Sequence, residues 1–348
     1  ARRAARFAAL AAGFGGLGLW AQSVNGAALP LSEFTLPARA AVAAYGLCFY
    51  PLKTLWPSGL APLYPLPKIL ALAQWPYGAC AAAVAAAAVA LLAARRHAPR
   101  LAACGLFYAV TVAPVLGALR FGPQLAADRY SYLSCLPLAL LAGAGLQRAL
   151  ASPRLRGLAP AAAWVLLLSL AGLTWRQVGF WRSGEALWSR ELAIRRDVPL
   201  AHHFLANAAL TRGRLIEAER HEREALAIEP RYAPALNGLG LVLASQRRYD
   251  EALPLYDAAL AAQPDYWEAG NNKGLVLARL GRFDESTAEF ERMLAGHPGV
   301  AGLHGNYGLA LLTAGKKERG AAELATSLRL DPNQPQLAAI YKSLTPRR

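Results

Sequence analysis

Residues 237–270 read NGLGLVLASQRRYDEALPLYDAALAAQPDYWEAG, and residue types in this stretch return at intervals of 34 on either side of it. Pro230, Pro264, Pro298 and Pro332 form one column. Ala206, Gly240, Gly274 and Gly308 form a second, and Ala218, Ala252, Ser286 and Gly320 a third. Three columns in phase define an internal repeat over residues 199–332. Small residues in the second and third columns let two antiparallel helices approach closely, and the proline ends the second helix before the next repeat starts. Gly213, Gly281 and Gly315 add a turn between paired helices, with Arg247 as the exception.

This pattern resembles the tetratricopeptide repeat, with Glu217-Ala218, Glu251-Ala252, Tyr249 and Tyr256 matching its usual residues. Four full repeats cover 199–332, while Lys273, Glu222 and Ser327 depart from the apolar or small consensus. Residues 179–198, with a helix around Glu185 to Arg196, read as a half-repeat cap. Residues 333–348, with Pro335 to Leu344, read as a C-terminal cap helix over the last apolar face. The resemblance implies a right-handed superhelix whose inner face is lined by the first helix of each repeat and whose groove binds extended peptide. On that helix His203, Asn237 and Asn271 share a column that breaks at Gly305, and Asn272 and Asn306 share the next. An amide donates and accepts at once, so an asparagine ladder can grip a peptide backbone without reading its side chains. The same columns also suit the solvated polar face of an amphipathic helix.

The other half of the chain is different in kind. Residues 1–180 hold 15 Lys/Arg against 2 Asp/Glu, Glu33 and Asp128, and so carry +13 of the formal +15. This positive charge punctuates apolar runs rather than clustering on a polar face, which points to membrane topology and away from nucleic acid. Charge-free runs of about 20 residues predict five transmembrane helices at 7–27, 69–94, 101–119, 130–147 and 157–175, within a membrane domain of residues 1–178. Segment 37–66 is too short between its charges and too rich in proline, and reads as re-entrant or interfacial. The first run also has the Arg-rich start of a signal peptide, but the later runs favour an internal helix. The chain begins at Ala1 rather than Met, and we take it to be part of a longer protein. The basic clusters at Arg2, Arg3 and Arg6, at Arg95, Arg96 and Arg100, and at Arg148, Arg154 and Arg156 fall on one side, the cytoplasmic one. The repeats then lie on the periplasmic or lumenal side of a cytoplasmic or endoplasmic reticulum membrane. The fold class expected is all-α: a multi-spanning bundle followed by a tetratricopeptide solenoid. Cys48, Cys80, Cys104 and Cys135 show no metal or redox spacing and read as buried small hydrophobes.

No phosphate loop, metal-ligand motif or nucleophile elbow is evident, so the reading assigns no cofactor and no metal ligand, and leaves a divalent ion open. The ionisable candidates are Glu33, Lys53, Asp128 and Arg129, since charges at a membrane edge are functional candidates by default. Arg129 and Lys53 suit the phosphate of a lipid-linked donor. Asp128 can orient Arg129 or bind an acceptor hydroxyl, and an Asp-Arg pair that only neutralises itself at a helix end is the structural alternative. The segments at 31–67 and 121–146, with the motifs KTLWPSGLAPLYP and AADRYSYL, resemble the C-terminal part of transmembrane and tetratricopeptide repeat-containing glycosyltransferases. Those are similar to protein O-mannosyltransferases of the GT-C class. The resemblance implies a polyprenyl-phosphate sugar, such as mannose, transferred to Ser or Thr of an exoplasmic polypeptide. It also implies a catalytic base in an N-terminal exoplasmic loop that this stretch lacks, so this portion alone is expected not to turn over. Ser134 follows AADRYSYL where the family often has Pro. Two alternatives accompany this reading: a non-enzymatic membrane-anchored scaffold for protein–protein interaction, and a lipid-linked glycan ligase or polymerase.

Overall fold

The computed structural model describes residues 35–56, 59–61, 64–65, 74–113, 116, 124–126, 131–155 and 157–344, and the chain divides into two units, 1–179 and 180–348. Among the described residues both are built of helices, with one short antiparallel ladder in the first.

In the first unit, helix α1 (Leu36–Leu55) starts with a proline in its first turn, where the missing N–H removes no bond. It buries Ala38, Ala41, Val42, Phe49 and Tyr50. Val112 and Leu116 complete this core, and the Tyr108 hydroxyl donates to the Leu47 carbonyl at 2.8 Å. Segment 37–66 thus contains a regular 20-residue helix that runs past both Arg39 and Lys53, followed by strand β1 (Tyr64–Pro65). Strand β1 pairs with β2 (Gln124–Ala126), setting Tyr64 opposite Ala126 and Pro65 opposite Gln124.

Helices α2 (Tyr77–Ala94) and α6 (Ala159–Phe180) are long and apolar enough to cross a bilayer, and 6% and 0% of their apolar windows are buried. They coincide with the spans expected at 69–94, described here from residue 74, and at 157–175. At 101–119 and 130–147 the helices are shorter: α3 (Pro99–Val112), then the single turn α4 (Ser131–Ser134) and α5 (Leu136–Ala151). Proline explains both. Pro114 follows closely on α3, and Pro137 opens α5 after a break at Cys135. The span expected at 7–27 lies outside the described residues. All four cysteines are free thiols, and they are half-buried rather than enclosed. Cys135 accepts a hydrogen bond from the Thr54 hydroxyl at 3.1 Å.

The second unit begins with α7 (Gly184–Ile194), capped by the Ser183 hydroxyl, which accepts from the Ala186 amide. Four helix pairs follow: α8 (Pro199–Thr211) with α9 (Leu215–Ile228), α10 (Ala233–Ser245) with α11 (Tyr249–Ala262), α12 (Trp267–Arg279) with α13 (Phe283–Gly296), and α14 (Ala301–Thr313) with α15 (Lys317–Leu330). Helix α16 (Pro335–Leu344) closes the array. Both helices of each pair start 34 residues after their counterparts in the pair before, as the columns require.

Each turn has the same design. Gly213, Arg247, Gly281 and Gly315 all sit at positive φ, between 63° and 77°. The next residue's amide reaches back to the first helix, as in Arg248 N to Leu243 O and Arg282 N to Leu277 O, both 2.9 Å. This is a Schellman closure, and it satisfies carbonyls that a helix end would otherwise leave open.

The small-residue columns are contact points. A Cβ on Gly240 would stand 2.7 Å from the ring of Tyr256, one on Gly274 would stand 2.7 Å from the ring of Phe290, and one on Gly308 would stand 3.0 Å from the Gly320 carbonyl. Phe290, Met293, Leu303, Tyr307 and Leu311 form a continuous core across repeats. Burial of each such side chain is worth about 1.5–3 kcal/mol. Trp188 of α7 stacks on Phe204 of α8 at 4.7 Å, tying the preceding helix to the first pair.

Candidate functional site

Contacts between successive first helices, α8 to α10, α10 to α12 and α12 to α14, make them one continuous face. The asparagines predicted on this face come together as a chain of side-chain amides. Asn272 donates to Asn237 at 3.0 Å, Asn271 donates to Asn272 at 3.3 Å, and Asn306 donates to Asn271 at 2.8 Å. Asn237 and Asn271 are buried, whereas Asn272 and Asn306 are half-exposed. The amides therefore stitch one repeat to the next. Each carries two donors and two lone pairs, so one or two internal bonds leave capacity for a ligand.

One helical turn further along the same face lies another column, Asn207, Leu241, Leu275 and Leu309, all half-exposed. An amide row beside a leucine row presents polar and apolar contacts side by side. Sequence columns contained this second row, but leucine at a helical spacing is an ordinary core signal and draws no attention.

His203, expected to extend the amide column backward, is held instead by the carboxylate of Glu222. Its Nδ1 lies 3.0 and 3.2 Å from the two Glu222 oxygens, and Asn207 contacts its Nε2 at 3.1 Å. Glu222 occupies the register filled by Tyr256, Phe290 and Leu324 in the later repeats, and it is 1% exposed. Burial pushes its carboxyl above the usual carboxylate range, against the lowering effect of His203. Lys273, in the register of Leu205, Leu239 and Tyr307, is likewise paired, to Asp257 at 2.7 Å and Glu289 at 3.1 Å. Ser327 donates to the Ala301 carbonyl at 2.8 Å. The three departures from the apolar consensus are thus each satisfied locally, as buried polar groups must be.

Charged clasps join consecutive repeats on the outside. Glu219 of α9 contacts Arg248 and Gln246 of the next turn, and Arg319 of α15 donates to Glu291 of α13 at 2.8 Å. Hydrogen bonds from Arg223, then from Gln246 and Arg248, hold the Glu219 carboxyl below its ordinary range.

Within the first repeat the structure also gathers His202, His221 and Glu224, a set that reading for local spacing passes over. It borders a cleft of about 440 Å³ between α7, α8 and α9.

In the first unit, Lys53 stands in the last turn of α1 with its Nζ 5.8 Å from the ring centre of Phe49. Asp128, Arg129 and Glu33 lie outside the described residues. The β1–β2 pairing does set the end of KTLWPSGLAPLYP against the start of AADRYSYL, since these meet at Tyr64 and Ala126.

A model of the tetratricopeptide repeat matches residues 205–266, 237–301 and 271–335. No curated protein matches the chain. Among solved structures, the chain is similar to TTC0263, a thermophilic tetratricopeptide-repeat protein of Thermus thermophilus, at 23% identity over 50% of this chain and 95% of that one, with a TM-score of 0.44. It is similar to PilW, a type IV pilus biogenesis factor, at 22% identity over 52% and 83%, with a TM-score of 0.43. It is also similar to YrrB, a tetratricopeptide-repeat protein described as having an unusual peptide-binding site, at 20% identity over 57% and 97%, with a TM-score of 0.38. The repeat match, the four helix pairs in a 34-residue register and the four left-handed turns agree: residues 205–335 are tetratricopeptide repeats, a fold suited to protein–protein interaction.

Proposed function

We propose that this chain is a membrane-anchored scaffold whose repeats bind an extended polypeptide along the face formed by α8, α10, α12 and α14. The observation that carries this reading is the pairing of the amide chain Asn237–Asn272–Asn271–Asn306 with the half-exposed row Leu241, Leu275 and Leu309. Amides with spare donors and acceptors suit a peptide backbone, and leucines suit alternate apolar side chains. Anchoring is supported by α2 and α6, whose apolar windows carry few charges and stay largely exposed. The distribution of Arg and Lys supports placing the repeats on the exoplasmic side.

The test is binding of a fluorescent library of unstructured peptides to the intact chain in detergent. Saturable binding that falls at least about tenfold in the Leu241→Ser, Leu275→Ser, Leu309→Ser triple variant is expected, a loss within the range of removing a few apolar anchors. Absence of saturable binding, or equal binding by the variant, would contradict it.

A second reading has its own observation. The ladder that joins KTLWPSGLAPLYP to AADRYSYL supports a common loop site of the kind implied by likeness to the repeat-containing glycosyltransferases. On that reading Arg129 and Lys53 hold the phosphate of a polyprenyl-linked sugar, Asp128 positions Arg129, and the repeats deliver the Ser/Thr acceptor. Transfer of labelled sugar by the intact protein should then fall in Arg129→Ala; unchanged transfer would remove Arg129 from the mechanism.

A further inference from the structure

Two imidazoles and a carboxylate converge at one point in the first repeat. The Nδ1 atoms of His202 and His221 are 3.2 Å apart, and the same Glu224 oxygen lies 3.0 Å from the first and 3.3 Å from the second. Both histidines are buried at 8% exposure, while the Glu224 side chain is 39% exposed. One proton cannot serve all three sides of this triangle in good geometry, and with both rings neutral every tautomer assignment leaves either two lone pairs or two N–H groups facing each other across one side.

The dimensions fit a cation. Ligand atoms about 2.0–2.1 Å from a tetrahedral zinc stand about 3.3 Å from one another. A point at that distance from these three atoms lies about 1 Å outside their plane. We propose that His202 Nδ1, His221 Nδ1 and a Glu224 oxygen bind one divalent transition-metal ion of the zinc class, with one coordination position open to the neighbouring cleft.

The surroundings are consistent with this assignment. Two imidazoles and one carboxylate form a donor set typical of a metal site that keeps a position for water or an exogenous ligand. Leu192, Arg196 and Ile228 line the same cleft as the three ligands. Arg220 is the one contact that must change, since its Nη2 lies 3.2 Å from His221 Nε2. With a metal on Nδ1, the ring proton resides on Nε2, which then becomes a donor, and the proton formerly shared among the three groups passes to solvent. Arg220 is 58% exposed and retains its bond to the other Glu224 oxygen at 3.0 Å, so it can swing without unpairing the carboxylate. His304 with Glu323 forms a comparable pair in the fourth repeat, but no third ligand joins it among the described residues.

The experiment uses the intact chain in detergent, stripped with a chelator and titrated with zinc or cobalt(II) alone. One equivalent is expected to bind, cobalt giving the intense visible bands of a four-coordinate site, and zinc is expected to raise the unfolding midpoint. Glu224→Gln and His221→Asn should each weaken binding at least about tenfold and lose the midpoint shift, whereas His304→Asn should leave both unchanged. Glu224→Gln, at a partly exposed position, separates ligand loss from misfolding. Failure of the wild-type chain to bind one equivalent, undiminished binding in Glu224→Gln and His221→Asn, or an equal loss in His304→Asn would overturn the assignment.

Discussion

Arg247 shows how far a repeat constrains a single residue. It stands at φ 63° where the other three turns have glycine, and a side chain with a Cβ is strained there. Arg247→Gly is therefore expected to stabilise the repeats by about 1 kcal/mol, seen as a higher urea midpoint at unchanged slope. Glu222 is the opposite case, a polar residue inside the core. Burial raises its carboxyl, so its unfolded form ionises at lower pH than its folded form, and the stability it allows at acid pH declines as pH rises through the carboxylate range. Glu222→Gln should raise the unfolding midpoint near pH 7, and this advantage should shrink toward about pH 4. A constant difference across that range would contradict the burial argument. Both residues were marked in the sequence as breaks in their columns. Their partners were not, because His203 reaches Glu222 across a hairpin rather than along a helix.

The helix pair is the element in which sequence and packing correspond most closely. Gly240 faces Tyr256, Gly274 faces Phe290 and Gly308 faces Leu324, always 16 residues on, whereas Ala206 stands at this register in the one repeat that has Glu222 in place of a ring or leucine. Gly274→Ala would set a methyl against the fully buried Phe290 ring and should cost about 1–3 kcal/mol in chemical unfolding. The same hairpin geometry sets residues 19 apart against each other: His202 with His221, His203 with Glu222, and His304 with Glu323. That offset was available in the sequence once the repeat was seen. The histidine–glutamate cluster was missed because metal motifs are read as short local spacings, and this one is formed across a turn. In the first unit, helices α2, α3, α5 and α6 were legible from charge-free runs, whereas α1, which runs past Arg39 and Lys53, was not, and two lengths were overestimated because Pro114 and Pro137 cut short what composition would extend. Helix α6 carries its own prediction. Leu168→Arg places a charge mid-helix at an insertion penalty of about 2.5–3.5 kcal/mol; with α2 still anchoring the chain, it should leave the protein in the membrane fraction and move the repeats to the opposite face, read by protease accessibility in sealed vesicles.

At the scale of the whole molecule, two units divide the physical work. The first exposes apolar helices such as α2 and α6 and keeps acidic residues almost entirely out of its sequence; the second balances its charges and stacks one pair on the next. Such a solenoid contacts only nearest neighbours, so its long continuous face is its natural recognition surface. The central claim is that this face, lined by α8, α10, α12 and α14, holds an extended polypeptide. Its most direct test is site-specific photo-crosslinking of the intact chain to an unstructured peptide ligand. The account predicts strong crosslinks from a photoreactive residue at Leu241, Leu275 or Leu309 and background levels from one at the exposed outer residue Glu285. Crosslinks of equal strength from Glu285, or none from the three leucine positions, would contradict it.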